Sequence, residues 1–392
     1  MKILMVNNQL YVLGGSETYM FSVGEELVRK GHQVEYYGLK DPENKHGNRY
    51  GIYAQKSRNP LNIISNKHNI NKFKEILDAF KPDIVHLNLV YFTLTEDIVY
   101  EAKRRNIPIV QTIHDPKIVC PCHRFYIEHQ GKPCLECVSN LDFSKCITNK
   151  CVKGSFIKSW LAVKESNYYK NKKAYELVDK YIFVCRFMME QHVDHGVRKN
   201  QSIVLHNFSR IQKRKVAIKA QEKYVIYFGR ISKEKGAETL AKVCRDTPNI
   251  KYKVVGSGDK EYLFQNISNC ELLGFKSGKE LEDLIASAVC SILPSIWYEN
   301  CPMTVLESIA LGTPVIGADI GGIPELIEHG RTGFVFKSGD ANELKELIEE
   351  LYRNDKLAYS MAQNCITNND LMDVCDYTEK LINIYKSLMR GK

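Results

Sequence analysis

Twice along this chain of 392 residues, short apolar runs alternate with segments whose apolar residues recur at helical spacing. That alternation constrains the fold more than any other feature. Strand–helix–strand repeats set strands parallel and cover both faces of a sheet with helices. The first series has runs at Ile3 to Val6, Val34 to Tyr37, Ile84 to Leu87, Ile109 to Ile113 and Tyr181 to Val184. Met20, Val23, Leu27 and Val28 predict a helix over Glu17 to Lys30, and Gly31 stops it. Further helices are predicted near 69–80, 95–105, 156–178 and 186–194. The second series has runs at Tyr224 to Phe228, Lys251 to Val255, Glu271 to Leu273, Val289 to Leu293, Pro314 to Gly317 and Gly333 to Val335. It closes with helices near 341–353, 356–364 and 375–389.

Between the two series, Ser209 to Gln221 is basic, weakly patterned and without aromatic residues, as a linker would be. The length exceeds what one core usually organises. The expected fold class is therefore α/β, with two Rossmann-like, doubly wound parallel-sheet domains facing a central cleft. The expected boundaries are 1–206, a linker at 207–222, and 223–374, with a C-terminal helix at 375–392 crossing back to the first domain. Ligands of such sheets bind beyond the carboxyl ends of the strands. No Gly-x-Gly-x-x-Gly follows Ile3 to Val6, which argues against a dinucleotide-dependent dehydrogenase.

The composition is 44% apolar and 26% charged, that of a globular and not a disordered chain. No apolar run approaches the ~18 residues that span a bilayer. The first run is four residues long and is followed at once by Asn-Asn-Gln, so it reads as a buried strand and not a signal peptide. The expectation is a cytoplasmic protein whose 13 cysteines are mostly reduced. The formal net charge is +9, and the excess is local. Residues 150–173 hold seven Lys against one Glu, and residues 209–223 hold six Lys or Arg against one Glu. Such patches suit nucleic acid, anionic lipid, phosphorylated ligands or plain solvent.

The densest chemistry lies in PSIWYENCPMTVLESIALGTPVIG, where Glu299 and Glu307 stand eight residues apart. Pro302 suits the first turn of a helix, Thr304 can cap it, and Gly312 can end it in a left-handed conformation. Backbone N–H groups near Met303 to Val305 would then form a helix N-terminus, where phosphate binds well. Glu307, one turn in, would reach hydroxyls of a ligand held there. Upstream, Arg230 and Lys235 flank the turn between a strand and a helix in Gly229-Arg-Ile-Ser-Lys-Glu-Lys-Gly236. Two cations there suit a diphosphate, Arg as a fork and Lys as a point charge. Gly256-Ser257-Gly258 follows the next strand and lets backbone approach a ligand closely. Alone, the two Glu fit solvated surface carboxylates, the two cations fit an exposed basic loop, and the Gly-x-Gly fits a plain chain reversal.

These elements, followed by G-T-P-V-I, G-G-x-P-E and T-G-F-V, occur in one order over residues 224–340. In that order the segment resembles the donor domain of family 4 glycosyltransferases, retaining enzymes of GT-B fold. The resemblance implies a UDP- or GDP-sugar donor, a saccharide or lipid-linked saccharide acceptor, and a role in polysaccharide biosynthesis. It implies that Arg230 and Lys235 hold the diphosphate, that Glu299 lies near the donor sugar and that Glu307 binds the ribose. Gly229 and Gly256 would lie at the donor. The backbone of Asn300, Cys301, Pro302, Met303 and Thr304 would hold sugar and phosphate. Cys301 stands where the family often has a small or aromatic residue. In the first domain, the resemblance places His114 beside the donor sugar, holding a hydroxyl or supporting the leaving group. It places Gly14 and Gly15 by the donor phosphates and the acceptor. Glu17, Glu325 and His86 read as structural. There is no Asp-x-Asp motif, so no catalytic metal is expected. Two rival readings are a GT-B nucleotide-sugar epimerase and a zinc-containing nucleic-acid-binding protein. The motif order argues against the first, and the second leaves residues 224–340 unexplained.

Cys120, Cys122, Cys134, Cys137, Cys146 and Cys151 crowd into 32 residues of an insertion at 116–155. In a reducing compartment, the Cys-x-x-Cys pair favours metal over disulfide. Cys120, Cys134, Cys137 and Cys151 are the candidate ligands of a structural zinc, with Cys122, His123 and Cys146 as substitutes. The alternative is reduced thiols packed in a loop. A subset of family 4 resembles this insertion, with H-D-x4-C-P followed by G-K-x-C-x2-C. Its position directly after His114-Asp115 would let it shape the acceptor side. Residues 153–173 then combine Phe156, Trp160, Tyr168 and Tyr169 with many Lys. They predict an amphipathic helix, either packed on its own domain or lying peripherally on an anionic inner membrane face. The sequence sets no oligomeric state.

Overall fold

The computed structural model describes residues 1–389 apart from 58, 140–141, 194, 215–221 and 369. Part of the expected linker, 215–221, thus lies outside the described residues. The chain forms two compact units. One comprises 1–129, 134–207 and 374–392, and the other comprises 130–133 and 208–373.

In the first unit, each apolar run becomes a parallel strand. The elements in chain order are β1 (Lys2–Gln9), α1 (Gly15–Arg29), β2 (Gln33–Leu39), α2 (Lys67–Phe80), β3 (Ile84–Leu87), α3 (Asp97–Arg104) and β4 (Ile109–Ile113). The insertion contributes only short pieces: β5 (Tyr126–Ile127), β6 (Lys132–Pro133), α4 (Glu136–Ser139) and α5 (Ser144–Thr148). Then come α6 (Phe156–Asn171), β7 (Lys180–Phe183), α7 (Arg186–His192) and β8 (Ser202–Val204). The sheet order is β2-β1-β3-β4-β7-β8. The order reverses between β1 and β3, so loops leaving those strands border a crevice. The helix predicted over 156–178 stops at Asn171, because Lys173 turns left-handed at φ 52° and Ala174–Leu177 form a 3-10 turn. Tertiary packing decides this, since Ala174 and Tyr175 are drawn into the core. Strand β8, three residues on a sheet edge and partly exposed, has too little pattern to read from sequence.

The second unit runs β9 (Val225–Phe228), α8 (Ala237–Asp246), β10 (Tyr252–Val255), β11 (Cys270–Gly274), α9 (Gly278–Ala286) and β12 (Cys290–Leu293). It continues with α10 (Met303–Ala310), β13 (Val315–Ala318), β14 (Gly333–Phe336), α11 (Ala341–Arg353) and α12 (Asp355–Thr367). All its paired strands are parallel. The order β11-β10-β9-β12-β13-β14 is the 3-2-1-4-5-6 order of a Rossmann sheet. Its switch point falls between β9 and β12. The described start of the expected linker runs along this unit: Ser209 N–H donates to Met372 O at 2.9 Å, and Arg214 reaches Asp283 at 3.0 Å.

The last helix, α13 (Val374–Met389), returns to the first unit. Its Tyr377 and Tyr385 are fully buried there. Tyr385 hydroxyl lies 2.6 Å from His86 Nδ1, and His86 Nε2 lies 2.8 Å from Thr112 Oγ1. Tyr19 hydroxyl continues the chain to Thr112 at 3.2 Å and to Tyr377 at 2.8 Å. Burial pushes the His86 pKa down to about 3, with a smaller effect from His114. His86 is therefore a neutral bridge inside the core, as its structural reading requires. Among the described residues, no helix is long and apolar enough to cross a membrane.

Candidate active site

In the second unit, the loops leaving β9, β10 and β12 meet near the switch point through glycine. Gly229 and Gly256 have φ of 145° and 131°, and a Cβ on Gly256 would lie 1.9 Å from Gly229 O. Gly236, with φ 78°, opens α8 where a Cβ would lie 1.8 Å from Pro294 O. Backbone contact at these points sets Arg230 and Lys235 beside the segment that carries Glu299.

The β9 and β12 loops are then joined by charge. Lys235 Nζ lies 2.5 Å from Glu299 Oε1 and 5.2 Å from the centre of the Trp297 ring. Ser295 hydroxyl donates to the same carboxylate oxygen at 2.8 Å. Burial alone would push the Glu299 pKa up, but the Lys235 charge and these hydrogen bonds outweigh it and hold the carboxyl below its ordinary range. Glu299 is thus a buried anion. Its backbone is held from the other side by the Gly-Gly element. Gly322 N–H donates to Glu299 O at 2.7 Å, and a Cβ on Gly321 would lie 2.2 Å from that oxygen. Arg230 differs from Lys235: its side chain is exposed, with Glu234 3.7 Å away.

Helix α10 starts at Pro302, whose φ of −66° and ψ of 123° make it the N-cap residue. Thr304 therefore does not cap the helix as the sequence predicts. Its hydroxyl is buried and has no hydrogen-bond partner. Gly312 ends the helix at φ 77°, as expected. Asn300 and Met303 are partly buried, and Cys301 and Pro302 are buried, on the approach to this helix end. One turn beyond Thr304 on the same face, Glu307 is half-buried. Burial raises its pKa to about 7, with Arg210 opposing and Glu282 adding to the shift. Ser232, in the loop after β9, also has a buried hydroxyl without a partner. Buried polar groups are seldom left unsatisfied, so such atoms mark places where a ligand can bond. Arg230 and the α10 N-terminus offer positive charge, and Glu307 offers a carboxyl to which hydroxyl groups could donate. Ser232 was not singled out from the sequence; its only signal is its place between Arg230 and Lys235.

In the first unit, β4 delivers His114. Its Nε2 donates to Asn88 Oδ1 at 3.1 Å, and its ring meets Tyr19 edge-on at 4.8 Å. Burial pushes its pKa down to about 4, with Asp115 opposing, so the imidazole is neutral near pH 7. Gly14 and Gly15 are exposed at the start of α1. Gly14 N–H donates to Glu17 Oε2 at 3.0 Å. Glu17 is buried and also accepts from Asn7 Nδ2 at 3.4 Å, so it fastens the glycine loop to the end of β1.

In the insertion, Cys120, Cys122, Cys134, Cys137, Cys146 and Cys151 all line one small cavity, together with Phe125, Tyr126 and Ile127. None of the six is in a disulfide, and the Cys120 and Cys122 sulfurs lie 3.4 Å apart. Burial and the neighbouring Cys120, Cys151 and Cys134 push the Cys137 thiol up to about 12. Among the described residues, no group of three or more His, Cys, Asp or Glu is placed as a metal ion would hold them.

Paired units with parallel sheets of these orders are the architecture of GT-B proteins. Anabaena HepE in complex with UDP superposes at a TM-score of 0.70 over 99% of this chain and 100% of its own, at 18% identity. Residues 13–211 match the model of Glycosyltransferase Family 4, and residues 208–368 match that of Glycosyl transferases group 1. The chain belongs to glycosyltransferase family 4. An uncharacterized glycosyltransferase of Methanocaldococcus jannaschii is 25% identical over 85% of this chain and 84% of its own length. The N-acetyl-alpha-D-glucosaminyl L-malate synthase of Bacillus anthracis is 23% identical over 90% and 88%.

Proposed function

We propose that this glycosyltransferase moves a sugar from a UDP- or GDP-sugar to a saccharide or lipid-linked saccharide acceptor in polysaccharide biosynthesis, with retention of anomeric configuration. One observation carries the donor assignment. Glu307 and Thr304 present a carboxyl and an unpartnered hydroxyl on one face of α10, just past the Lys235–Glu299 pair. Glu307 would accept from the ribose hydroxyls. Arg230, Lys235 and the N–H groups at the start of α10 would balance charge on the departing diphosphate. Glu299, fixed by Lys235 and Gly322, would accept from the donor sugar. A neutral His114 would hold a sugar hydroxyl and not act as a cationic acid. The reading gains support from HepE, solved with UDP and with UDP-glucose. It also gains support from a relative encoded in a Klebsiella pneumoniae cps region, 25% identical over 83% of this chain, and from a putative colanic acid glycosyltransferase of Salmonella typhimurium.

The test is a donor screen that follows free UDP or GDP, with product configuration read by NMR. Arg230→Ala should lower kcat/KM about 100-fold with the best donor. Full rate in that variant, or an inverted product, would sink the assignment.

We also propose that a structural zinc, when bound, would draw Cys120, Cys134, Cys137 and Cys151 of the six-thiol cavity together, since as they stand no three of them are placed to hold it. The donor set is soft and suits zinc. An insertion built from two-residue strands and helices of four and five residues has little apolar core of its own. Purified protein should carry near-stoichiometric zinc, and Cys134→Ser with Cys137→Ser should lose it and lower the melting temperature. Protein free of zinc and iron refutes the site.

A further inference from the structure

Helix α6 carries large apolar side chains on both of its sides. Its buried side is mixed, with Ala162, Val163 and Tyr169 beside Ser159, Ser166 and Glu165, and Glu165 accepts from Lys117 Nζ at 2.8 Å. Its outward side carries Phe156, Ile157 and Trp160, which are 57%, 73% and 43% exposed. Phe156, Trp160 and Lys164 follow one another at i, i+4 and i+8 along a single stripe, with Ile157 beside it. A helix that served only its own unit would not also hold three large apolar side chains in water on its outer side. Clustered large apolar side chains in water mark an interaction surface.

The charge around them is of one sign. Between residues 143 and 173 there are eight Lys, all exposed. The one carboxylate in that stretch is Glu165, which is buried against Lys117. Lys164 Nζ lies 5.4 Å from the Trp160 ring, which sets cation and indole side by side. The start of the helix is held firmly: Ser155 side chain accepts from Lys158 N–H, and Ser159 hydroxyl accepts from Val152 N–H at 3.0 Å.

We propose that the outward face of α6 docks on an anionic lipid bilayer. Phe156, Ile157 and Trp160 enter the headgroup region, and Lys153, Lys158 and Lys164 meet lipid phosphates. The face is poorly suited to a second copy of the chain, because a two-fold contact would set this basic surface against itself. Phe156 and Trp160 could stack on bases but Ile157, the most exposed apolar group, could not, whereas a bilayer takes up all three. The inference does not rest on the donor assignment, and the two can fail separately.

The full chain should sediment with phosphatidylcholine–phosphatidylglycerol vesicles and not with phosphatidylcholine alone, and less so as salt rises. Lys153→Gln with Lys158→Gln should weaken the partition about 30-fold. Phe156→Ser with Ile157→Ser should weaken it at least about tenfold. Tryptophan emission should shift to the blue on vesicles, and Trp160→Phe should remove the shift. These positions are exposed, so nucleotide release from a soluble donor should be unchanged in each variant. The proposal is overturned by absent partition, by variants that partition like the wild type, or by an RNA complex or dimer that the same changes dissolve.

Discussion

Lys235→Met should lower stability by about 3 kcal/mol in urea denaturation, while Arg230→Ala should leave it within about 0.5 kcal/mol. Both should nearly abolish transfer. The two cations read alike in sequence, as donor contacts at one loop, but their surroundings differ. Lys235 Nζ is bonded to Glu299, whose side chain is 8% exposed, whereas the Arg230 side chain is 69% exposed. Removing Lys235 leaves a buried carboxylate without its counter-charge, whereas removing Arg230 loses only a long, solvent-exposed contact with Glu234. The Glu299 pKa is held low in the folded state, so this stabilisation is present above the ordinary carboxylate pKa and fades as pH falls. The Lys235→Met loss should therefore shrink in acid. Adding Glu299→Gln to Lys235→Met should restore most of the stability and none of the activity. A Lys235→Met protein as stable as the wild type would mean that the pair does not form.

Glu307→Gln should do the reverse, raising stability while removing donor binding. Burial raises the Glu307 pKa from 4.5 to about 7. A carboxyl whose folded pKa is raised favours folding at low pH, and stability falls as pH climbs from 4.5 through 7. Gln has no such proton to lose. The variant should thus be more stable than the wild type above pH 7, by about 2 kcal/mol once partial exposure is discounted. Below pH 4.5 the two should match. Donor affinity of the wild type should rise through pH 7, because a carboxylate accepts from a ribose diol better than a carboxylic acid does. Melting curves at pH 4 and pH 8, with calorimetric titration of UDP, test this. Equal stabilities at pH 8 would place Glu307 in water and end the argument for its role.

What could be read from sequence follows from range. Most strands of the two large sheets were legible because apolar residues dominate each run, as in Val225–Phe228, all four residues of which are buried. Arg230, Lys235, Glu299 and Glu307 were legible as candidates because each stands at a strand end or a helix start, marked by nearby Gly or Pro. Their partnerships were not. Lys235 and Glu299 are 64 residues apart, and the hold of Gly321 and Gly322 on Glu299 is made by backbone atoms that leave no side-chain signature. Thr304 shows the limit of local rules: it had a capping residue's chemistry, but Pro302 took the cap position. Helix α6 shows another, since Phe156 and Trp160 predicted an amphipathic helix, and only the tertiary structure shows that they point outward while Ser159 and Glu165 point in.

The return of α13 to the first unit has a consequence for how the chain is made. The ribosome releases the whole of 208–373 before the helix that completes the first unit appears. At cellular elongation rates that delay is roughly 10–30 s. Throughout it, His86 waits for the hydroxyl of Tyr385, and Tyr19 for that of Tyr377. The nascent first unit should be open to chaperones and proteases during this interval, and a stop codon between residues 208 and 373 would fix it in that unfinished state.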